Sequence, residues 1–259
     1  ERGHHARRAD DPCKEGLIVT VDGTIDDRMM AIAARCALRG AGRVEPNPIV
    51  GCVIGDETGR ILGMGHHREF GGPHAEIDAL TRAQALGHST DGACAWLTLE
   101  PCAHEGKTPP CTEALIESGV SRVVIARRDP SARAGGGAAR LWEAGIEVVE
   151  RTVRDLAWWV GAPFARRVST GLPWVIAKWA QTVDGRIATR GGESKWISGA
   201  PSRRRVHRLR GMVDAVVTGI GTVEADDPLF TVRDAHPRRT PIRAVIDPAL
   251  RISADSALA

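Results

Sequence analysis

Apolar positions follow two periods along the first half of the chain. Between Asp26 and Gly40 they recur at helical spacing, which predicts a helix with an aspartate cap and a glycine stop. Two short apolar runs follow, Ile49–Ile54 and Arg60–Met64, separated by the polar segment Asp56–Gly59. This pattern is typical of a β-hairpin.

From Pro73 onward, helical and strand patterns alternate. Pro73 opens a helix that carries His74 and Glu76, because proline in the first turn costs no hydrogen bond. The later pattern predicts a strand at Ala95–Leu99, a helix at Thr112–Ser118, a strand at Arg122–Ala126, a helix at Ala138–Ala144 and a strand at Ile146–Val149. This order predicts an α/β fold with a mixed sheet and helices on both faces.

A second region follows the polar segment Arg166–Gly171, which we interpret as a linker. Its pattern predicts a strand at Leu172–Ala180, a turn at Thr182–Arg186, a basic helix at Pro201–Gly211 and a strand at Ala215–Thr218. We therefore divide the chain into a polar tail (1–22), a first domain (23–168) and a second domain (172–259).

Length and composition narrow the class of protein. At 259 residues, the chain favours two domains, and its net charge of +3 does not call for a nucleic-acid partner. No apolar run approaches the roughly 20 residues of a membrane span, and residues 1–11 do not have the pattern of a signal peptide. We expect a soluble cytoplasmic protein whose six cysteines are reduced.

One set of residues carries a specific chemistry: His74 and Glu76 in His-Ala-Glu, then Cys102 after Pro101, then Cys111. Three protein ligands, His74, Cys102 and Cys111, leave the fourth position of a zinc ion open, and such an ion can activate water. A glutamate two residues after the histidine is the proton shuttle of zinc deaminases that act on nucleobases. The set predicts a zinc site with Glu76 as the catalytic residue.

The expected positions of these residues raise one geometric question. We expect His74 in the first turn of one helix and Cys102 at the start of the next, where helix N-termini favour a thiolate. In a regular helix, however, Glu76 would point roughly 200° away from His74. It would then need a distorted first turn, or its own length, to reach the water.

The loop between the two cysteines is longer than the usual Pro-Cys-x-x-Cys, since it runs from Pro101 to Cys111. Together with Pro46–Gly51, this loop resembles the bacterial riboflavin-biosynthesis bifunctional deaminase/reductase family, and the resemblance extends from about Asp26 to about Ile252. It implies a cytidine-deaminase-like three-layer α/β/α domain followed by a dihydrofolate-reductase-like domain. The implied substrate of the deaminase is a diaminopyrimidinone with a ribosylamino phosphate.

The same resemblance implies roles for single residues. The deaminase substrate would be bordered by Asn47, His67, His104, Lys107 and Asp129, of which Lys107 suits a phosphate and Asn47 a pyrimidine amide edge. NADPH would lie near Ala180, Trp196, Thr222 and Asp226, and the substrate of the reductase near Ser194, Arg210, Phe230 and Arg233. His67 could equally be an ordinary loop histidine, Trp196 an ordinary core residue and Asp184 a turn residue or part of the site.

The chain departs from the family pattern in two places. The family has Asp-Pro-Asn-Pro where this chain has Asp129-Pro130-Ser131-Ala132, so Ser131 lacks the side-chain amide of asparagine. The unusual run Gly135–Gly137 follows. The sequence stops at Ala259 before the later glycine-rich segment of the family. We therefore expect an intact deaminase and an incomplete reductase domain that does not work with NADPH in this chain.

Other functions remain open at this point. The zinc site could serve a deaminase of another nucleobase or nucleotide, iron could occupy the same ligands, and a homo-oligomer is possible. The site could also be a zinc-stabilised scaffold, although a purely structural zinc usually has four ligands and only His104 could supply a fourth. A basic nucleic-acid module is disfavoured because the chain has no Tyr and only three Phe for base stacking.

Overall fold

The computed structural model describes residues 25–104, 109–131, 134–151, 155–233 and 235–258. The predicted tail at 1–22 lies outside these residues. The described chain forms two compact units: the first ends at Trp174, and the second begins at Val175 and also includes Ala41–Arg43.

The first unit contains six helices and one five-stranded sheet among its described residues. In chain order the elements are α1 (Ile25–Ala37), β1 (Gly51–Gly55), β2 (Ile61–His66), α2 (Ala75–Ala85), β3 (Cys94–Leu97), α3 (Cys111–Glu117), β4 (Arg122–Ile125), α4 (Gly137–Glu143), β5 (Glu147–Glu150), α5 (Leu156–Val160) and α6 (Ala162–Thr170). The predicted hairpin and the alternation of helices and strands are confirmed, with boundaries shifted by one to two residues.

The sheet is mixed, as the pattern predicts. Its strand order is β2-β1-β3-β4-β5. Strand β1 pairs antiparallel with β2 and with β3, whereas β3, β4 and β5 run parallel. The carboxyl ends of the parallel strands therefore meet at one edge, where the loops that follow β3 and β4 begin.

Alternating side chains of the strands divide the core between the two faces of the sheet. Val53, Trp96 and Val124 pack with α1 and α5 on one face. Their neighbours in sequence, such as Leu97 and Ile125, pack with α2, α3 and α4 on the other. Because successive strand residues point to opposite faces, this alternation produces the expected three-layer α/β/α arrangement.

Glycines allow the helices to lie close against the sheet. A Cβ on Gly51 in β1 would lie 2.0 Å from the carbonyl oxygen of Ala33 in α1. A Cβ on Gly65 in β2 would lie 2.3 Å from the carbonyl oxygen of Ala75 in α2. Only glycine fits at such distances, so Gly51 lets α1 lie against the sheet and Gly65 does the same for α2, which follows the predicted metal ligand His74.

Two sequence predictions near the end of the first unit are wrong. Residues Arg166–Thr170 are not a linker turn but the last turns of α6, which ends at Gly171 in the left-handed conformation. The pattern hid this helix because its buried residues are the small Ala162 and Ala165. Leu172–Ala180 forms no strand; Val175 is 79% exposed and Trp179 is 64% exposed. An apolar run becomes a strand only where another strand pairs with it.

The second unit contains α7 (Ala200–Arg210), β6 (Ala215–Gly219), α8 (Ile220–Asp226) and β7 (Ile242–Ile246). The predicted basic helix and the predicted strand at Ala215–Thr218 are confirmed. Strands β6 and β7 pair in parallel. In the parts of the chain that the structure describes, no helix combines the length and the apolar character needed to cross a membrane.

Candidate metal centre

Three side chains of the first unit converge at the sheet edge. The Nδ1 atom of His74 lies 3.3 Å from the Sγ of Cys111 and 3.7 Å from the Sγ of Cys102. All three potential ligand atoms lie within 4.8 Å of one another. Among the described residues, this is the one group of three or more His, Cys, Asp or Glu side chains with such a spacing.

The backbone around these ligands differs from the sequence prediction. His74 is not in a helix: it is the extended N-cap residue of α2, with φ −70° and ψ 165°. Cys102 does not begin a helix either, because it lies in the loop after β3, whereas Cys111 is the first residue of α3. The amide of Cys111 donates to the Sγ of Cys102 at 3.4 Å, so the start of α3 does contact a ligand thiol.

The donor set fits zinc. One imidazole nitrogen and two sulfurs are ligands that zinc prefers, with bond lengths of about 2.0 Å and 2.3 Å. Two such ligands at a tetrahedral angle lie roughly 3.5 Å apart, close to the two nitrogen–sulfur distances above. The set leaves a fourth position for water or a substrate atom, as catalytic zinc sites do.

The surroundings shift the pKa values of the two cysteine thiols in opposite directions. A hydrogen bond from the Cys111 thiol, with a further one from His74, lowers the pKa of Cys102 to about 4. The bond to Cys102, together with burial, raises the pKa of Cys111 above its ordinary value. The lowered pKa of Cys102 favours the thiolate form, which is the form that zinc binds.

Glu76 is buried beside the ligands. Its residue is only 3% exposed, and burial raises its pKa to about 7, although the charge of His74 and a contact with Cys111 lower it. Because His74 is extended, the 200° separation expected within a regular helix does not apply. The cap conformation thus explains how a glutamate two residues after a ligand points to the same site.

Asn47 and His67 form a second layer next to His74. The ring of His67 meets that of His74 edge to face, with centroids 5.4 Å apart. Its Nδ1 lies 2.9 Å from the carbonyl oxygen of Pro73, which can only accept, so this nitrogen carries the proton. Burial lowers the pKa of His67 and favours the neutral ring. Its Nε2 then accepts from the Nδ2 of Asn47 at 3.3 Å.

The remaining residues predicted to border the deaminase substrate lie on the side of Cys102. His104 follows Cys102 in the same loop, and its Nδ1 is buried without a hydrogen-bond partner in the described structure. Asp129 is partly buried in the loop after β4, and burial raises its pKa. The backbone amide of Ser131 donates to the Oδ1 of Asp129 at 2.8 Å. Lys107 lies outside the described residues.

Sequence reasoning did not identify Glu100, the residue just before Pro101 and Cys102. Its residue is only 4% exposed. Its two carboxylate oxygens accept from the backbone amides of Asp129 and Ala138, each at 2.9 Å. The sequence did contain a signal for this residue, because Glu100 is a charged residue that directly follows an apolar run and lies two positions before the predicted metal ligand Cys102.

In the second unit, three of the predicted reductase residues come together. The guanidinium of Arg210 lies 5.3 Å from the ring centroid of Phe230, and it donates to the carbonyl oxygen of Thr231. The Nη1 of Arg233 also donates to the Oγ1 of Thr231. Burial and the charge of Arg233 lower the pKa of Arg210. Two neighbouring arginines next to an aromatic ring can bind a phosphate group.

The other predicted reductase residues are distributed along the second unit. Thr222 and Asp226 are exposed on α8, and the ring of Trp196 is 70% exposed and stacks with Arg203. Ala180 and Ser194 are partly buried. A cavity of about 260 Å³ nearby is lined by Thr182, Asp184, Arg186, Ala188, Thr189, Glu193 and Ile197. Asp184 therefore lines this cavity, and the eight predicted cofactor and substrate residues are not part of its lining.

Comparisons with known proteins agree with this arrangement. Residues 24–127 match the family described as "Cytidine and deoxycytidylate deaminase zinc-binding region", and residues 173–259 match the "RibD C-terminal domain". The chain is 43% identical over 241 residues to riboflavin biosynthesis protein RibD of Escherichia coli, covering 88% of this chain and 65% of that protein. It is 42% identical over 229 residues to RibD of Aquifex aeolicus, covering 88% and 63%.

A solved structure is similar over the same range. The diaminohydroxyphosphoribosylaminopyrimidine deaminase/5-amino-6-(5-phosphoribosylamino)uracil reductase of Thermotoga maritima matches with a TM-score of 0.76 and 42% identity. The match covers 86% of this chain and 63% of that one. The chain thus spans somewhat less than two thirds of the length of these relatives. The matches confirm the expected fold, a cytidine-deaminase-like domain followed by part of a RibD reductase domain, and the chain belongs to the RibD family of riboflavin biosynthesis proteins.

Proposed function

We propose that the first unit is a zinc-dependent deaminase that hydrolyses the amino group of the diaminopyrimidinone ribosylamino phosphate of riboflavin biosynthesis. The convergence of His74, Cys102 and Cys111 beside the buried carboxyl of Glu76 is the observation that carries this proposal. The RibD relatives support the choice of substrate, since the similar Thermotoga maritima protein is described as a deaminase of this pyrimidine.

Glu76 moves the protons of the reaction. His74, Cys102 and Cys111 would hold a zinc ion, which would supply a Lewis acid that activates water. The carboxylate of Glu76 takes one proton from the attacking water and passes it to the ring nitrogen. It then takes the second proton, from the hydroxyl group of the tetrahedral carbon, and passes it to the amino group, which leaves as ammonia.

Two groups of residues bind the substrate in this proposal. Asn47 donates to His67 through its Nδ2, so its Oδ1 is left to accept an N–H group of the pyrimidine. His104 and Asp129 border the ring and the ribosylamino group from the side of Cys102. Lys107 binds the phosphate. His67 takes part by fixing the orientation of Asn47.

For the second unit we propose NADPH-dependent reduction of the ribosylamino chain in the complete protein. Ala180, Trp196, Thr222 and Asp226 contribute to the NADPH site, and Ser194, Arg210, Phe230 and Arg233 to the substrate site. The match to the RibD C-terminal domain and the cluster of Arg210, Phe230 and Arg233 support this assignment. Arg210→Ala should weaken binding of ribose 5-phosphate at least tenfold, measured by calorimetry, whereas Arg204→Ala on the exposed face of α7 should not.

The decisive experiment for the deaminase measures ammonia release and zinc content together. Glu76→Gln should lower turnover of the pyrimidine by about 100-fold or more while zinc remains at the wild-type level. The matched control is Glu57→Gln, the same change at an exposed turn residue, which should behave like the wild type. Full zinc occupancy without ammonia from this pyrimidine would contradict the substrate, and cytidine and guanine would then be tested in its place.

A further inference from the structure

Glu100 connects the metal-binding loop to the opposite wall of the site. The residue ends the segment that follows β3 and directly precedes Pro101 and Cys102. Its Oε2 accepts from the amide of Asp129 and its Oε1 from the amide of Ala138, in the first turn of α4. First-turn amides have no acceptor within their own helix, so this carboxylate satisfies a donor that would otherwise be unpaired.

Glycines bring the same two segments into close contact. A Cβ on Gly137 would lie only 1.9 Å from the carbonyl oxygen of Pro101. Gly136 adopts a φ of +94°, which disfavours other residues, and a Cβ on Gly135 would lie 2.9 Å from the carbonyl oxygen of Ser131. The unusual run Gly135–Gly137 therefore lets the start of α4 pack against the residue that precedes Cys102.

We propose that Glu100 is a positioning residue of the deaminase that fixes Asp129 relative to Cys102. The inference rests on the proposed function, in which Asp129 borders the substrate and Cys102 binds the metal. A carboxylate is needed because both of its oxygens must accept. Glutamine keeps the length of the side chain but replaces one of the two oxygens with an NH₂ group. This NH₂ group would face a backbone N–H, and because both groups are donors, that hydrogen bond is lost.

Arg128 provides the matched control. Its Nη1 lies 3.6 Å from the Oε1 of Glu100, and its Nε donates to the Oε2 of Glu150 at 3.0 Å. Glu150→Gln therefore makes the same chemical change on the closer partner of Arg128, while both acceptors of the two amides remain. An effect of Glu100→Gln that Glu150→Gln does not reproduce cannot come from the arginine alone.

The test compares both variants with the wild-type chain in steady-state ammonia release, zinc content, melting temperature and amide hydrogen exchange by NMR. For Glu100→Gln we expect KM for the pyrimidine to rise about tenfold, with kcat within about twofold and zinc content unchanged, as for loss of a supporting residue. The amide of Asp129 or of Ala138 should exchange about tenfold faster. Glu150→Gln should match the wild type in every measurement.

Three outcomes would overturn the inference. Unchanged exchange at both amides would mean that Glu100 does not hold them. A lower melting temperature with unchanged KM would leave Glu100 only a structural role, and equal effects in both variants would assign the effect to Arg128. An inactive wild-type chain would contradict the proposed function instead, and the exchange measurement would then decide the inference about Glu100 by itself.

Discussion

Similar strand sequences are buried to very different degrees in the two units. In the first unit, all five residues of β1 and three of the four residues of β4, Arg-Val-Val-Ile, are buried. In the second unit, β6 has the comparable sequence Ala-Val-Val-Thr-Gly, yet none of its residues is buried. The helices differ in the same way, because α1 buries seven residues whereas α7 buries none.

The difference shows what a pattern of apolar residues can achieve without covering layers. The strands of the first unit lie between helices on both faces, so each apolar side chain meets a packed neighbour. The two-stranded sheet of the second unit has few such neighbours among the described residues. Local propensity thus forms strands in both units, but packing on both faces makes the first unit a rigid frame for a metal site.

The largest expected contrast is between two tryptophans. Trp96 in β3 is 1% exposed and donates to Asp26, whereas Trp196 in the second unit is 70% exposed. Trp96→Ala should lower the free energy of unfolding by about 3–5 kcal/mol, because it leaves a cavity in the core. Trp196→Ala should cost less than about 1 kcal/mol. Urea unfolding followed by circular dichroism measures both; equal costs would contradict the comparison.

Two glycines give the next contrast. Gly51→Ala in β1 places a methyl group against the backbone of α1 and should cost about 3 kcal/mol of unfolding free energy. Gly221→Ala in α8 meets no atom within 4 Å and should instead stabilise that helix by up to about 1 kcal/mol. Amide exchange of peptides from β1 and α8, followed by mass spectrometry, locates each effect. Stabilisation by Gly51→Ala would show that α1 can move away from the sheet.

A pair of aspartates gives a smaller contrast. Asp26 accepts from Trp96 at 2.6 Å and receives two hydrogen bonds of 2.9 Å from Arg122. Asp214 in the second unit pairs with Arg239, but its side chain is 84% exposed. Asp26→Asn should cost about 1–3 kcal/mol at neutral pH. Asp214→Asn should change the unfolding free energy by less than about 0.5 kcal/mol.

The contribution of Asp26 to the free energy of unfolding should also depend on pH. Burial alone would raise the pKa of Asp26, but the bonds from Arg122 and Trp96 outweigh it and lower the pKa. The stabilisation is therefore complete above the ordinary value of about 3.9 and is lost as pH falls through the lower pKa of the folded chain. In an acid titration of unfolding free energy, the gap between wild type and Asp26→Asn should begin to close below about pH 3.9 and be fully closed once the pH lies below the pKa of the folded chain. A gap that closes near neutral pH would contradict this assignment.

The sequence by itself determined the hairpin, the alternation of helices and strands in the first unit and the three side chains, His74, Cys102 and Cys111, that the structure brings together. The hairpin and the alternation depend on local hydrophobic periods, which can be recognised in a sequence. The histidine, glutamate and cysteines stand in the order of the zinc-deaminase signature, which can be recognised in the same way. The missed helix at Ala162–Thr170 and the strand wrongly predicted at Leu172–Ala180 mark the limit of this approach. Small buried alanines give no strong period, and an apolar run does not reveal whether another strand pairs with it.

Only the tertiary structure decided how the site is assembled. The extended cap conformation of His74 directs Glu76 to the ligands, which a helical period could not predict. The contacts of Glu100 with the amides of Asp129 and Ala138 join residues 29 and 38 positions apart. Such contacts depend on which loops the packed sheet brings to one edge. Local preferences of the sequence predict helices, strands and turns, but they do not give distances between residues that lie far apart along the chain.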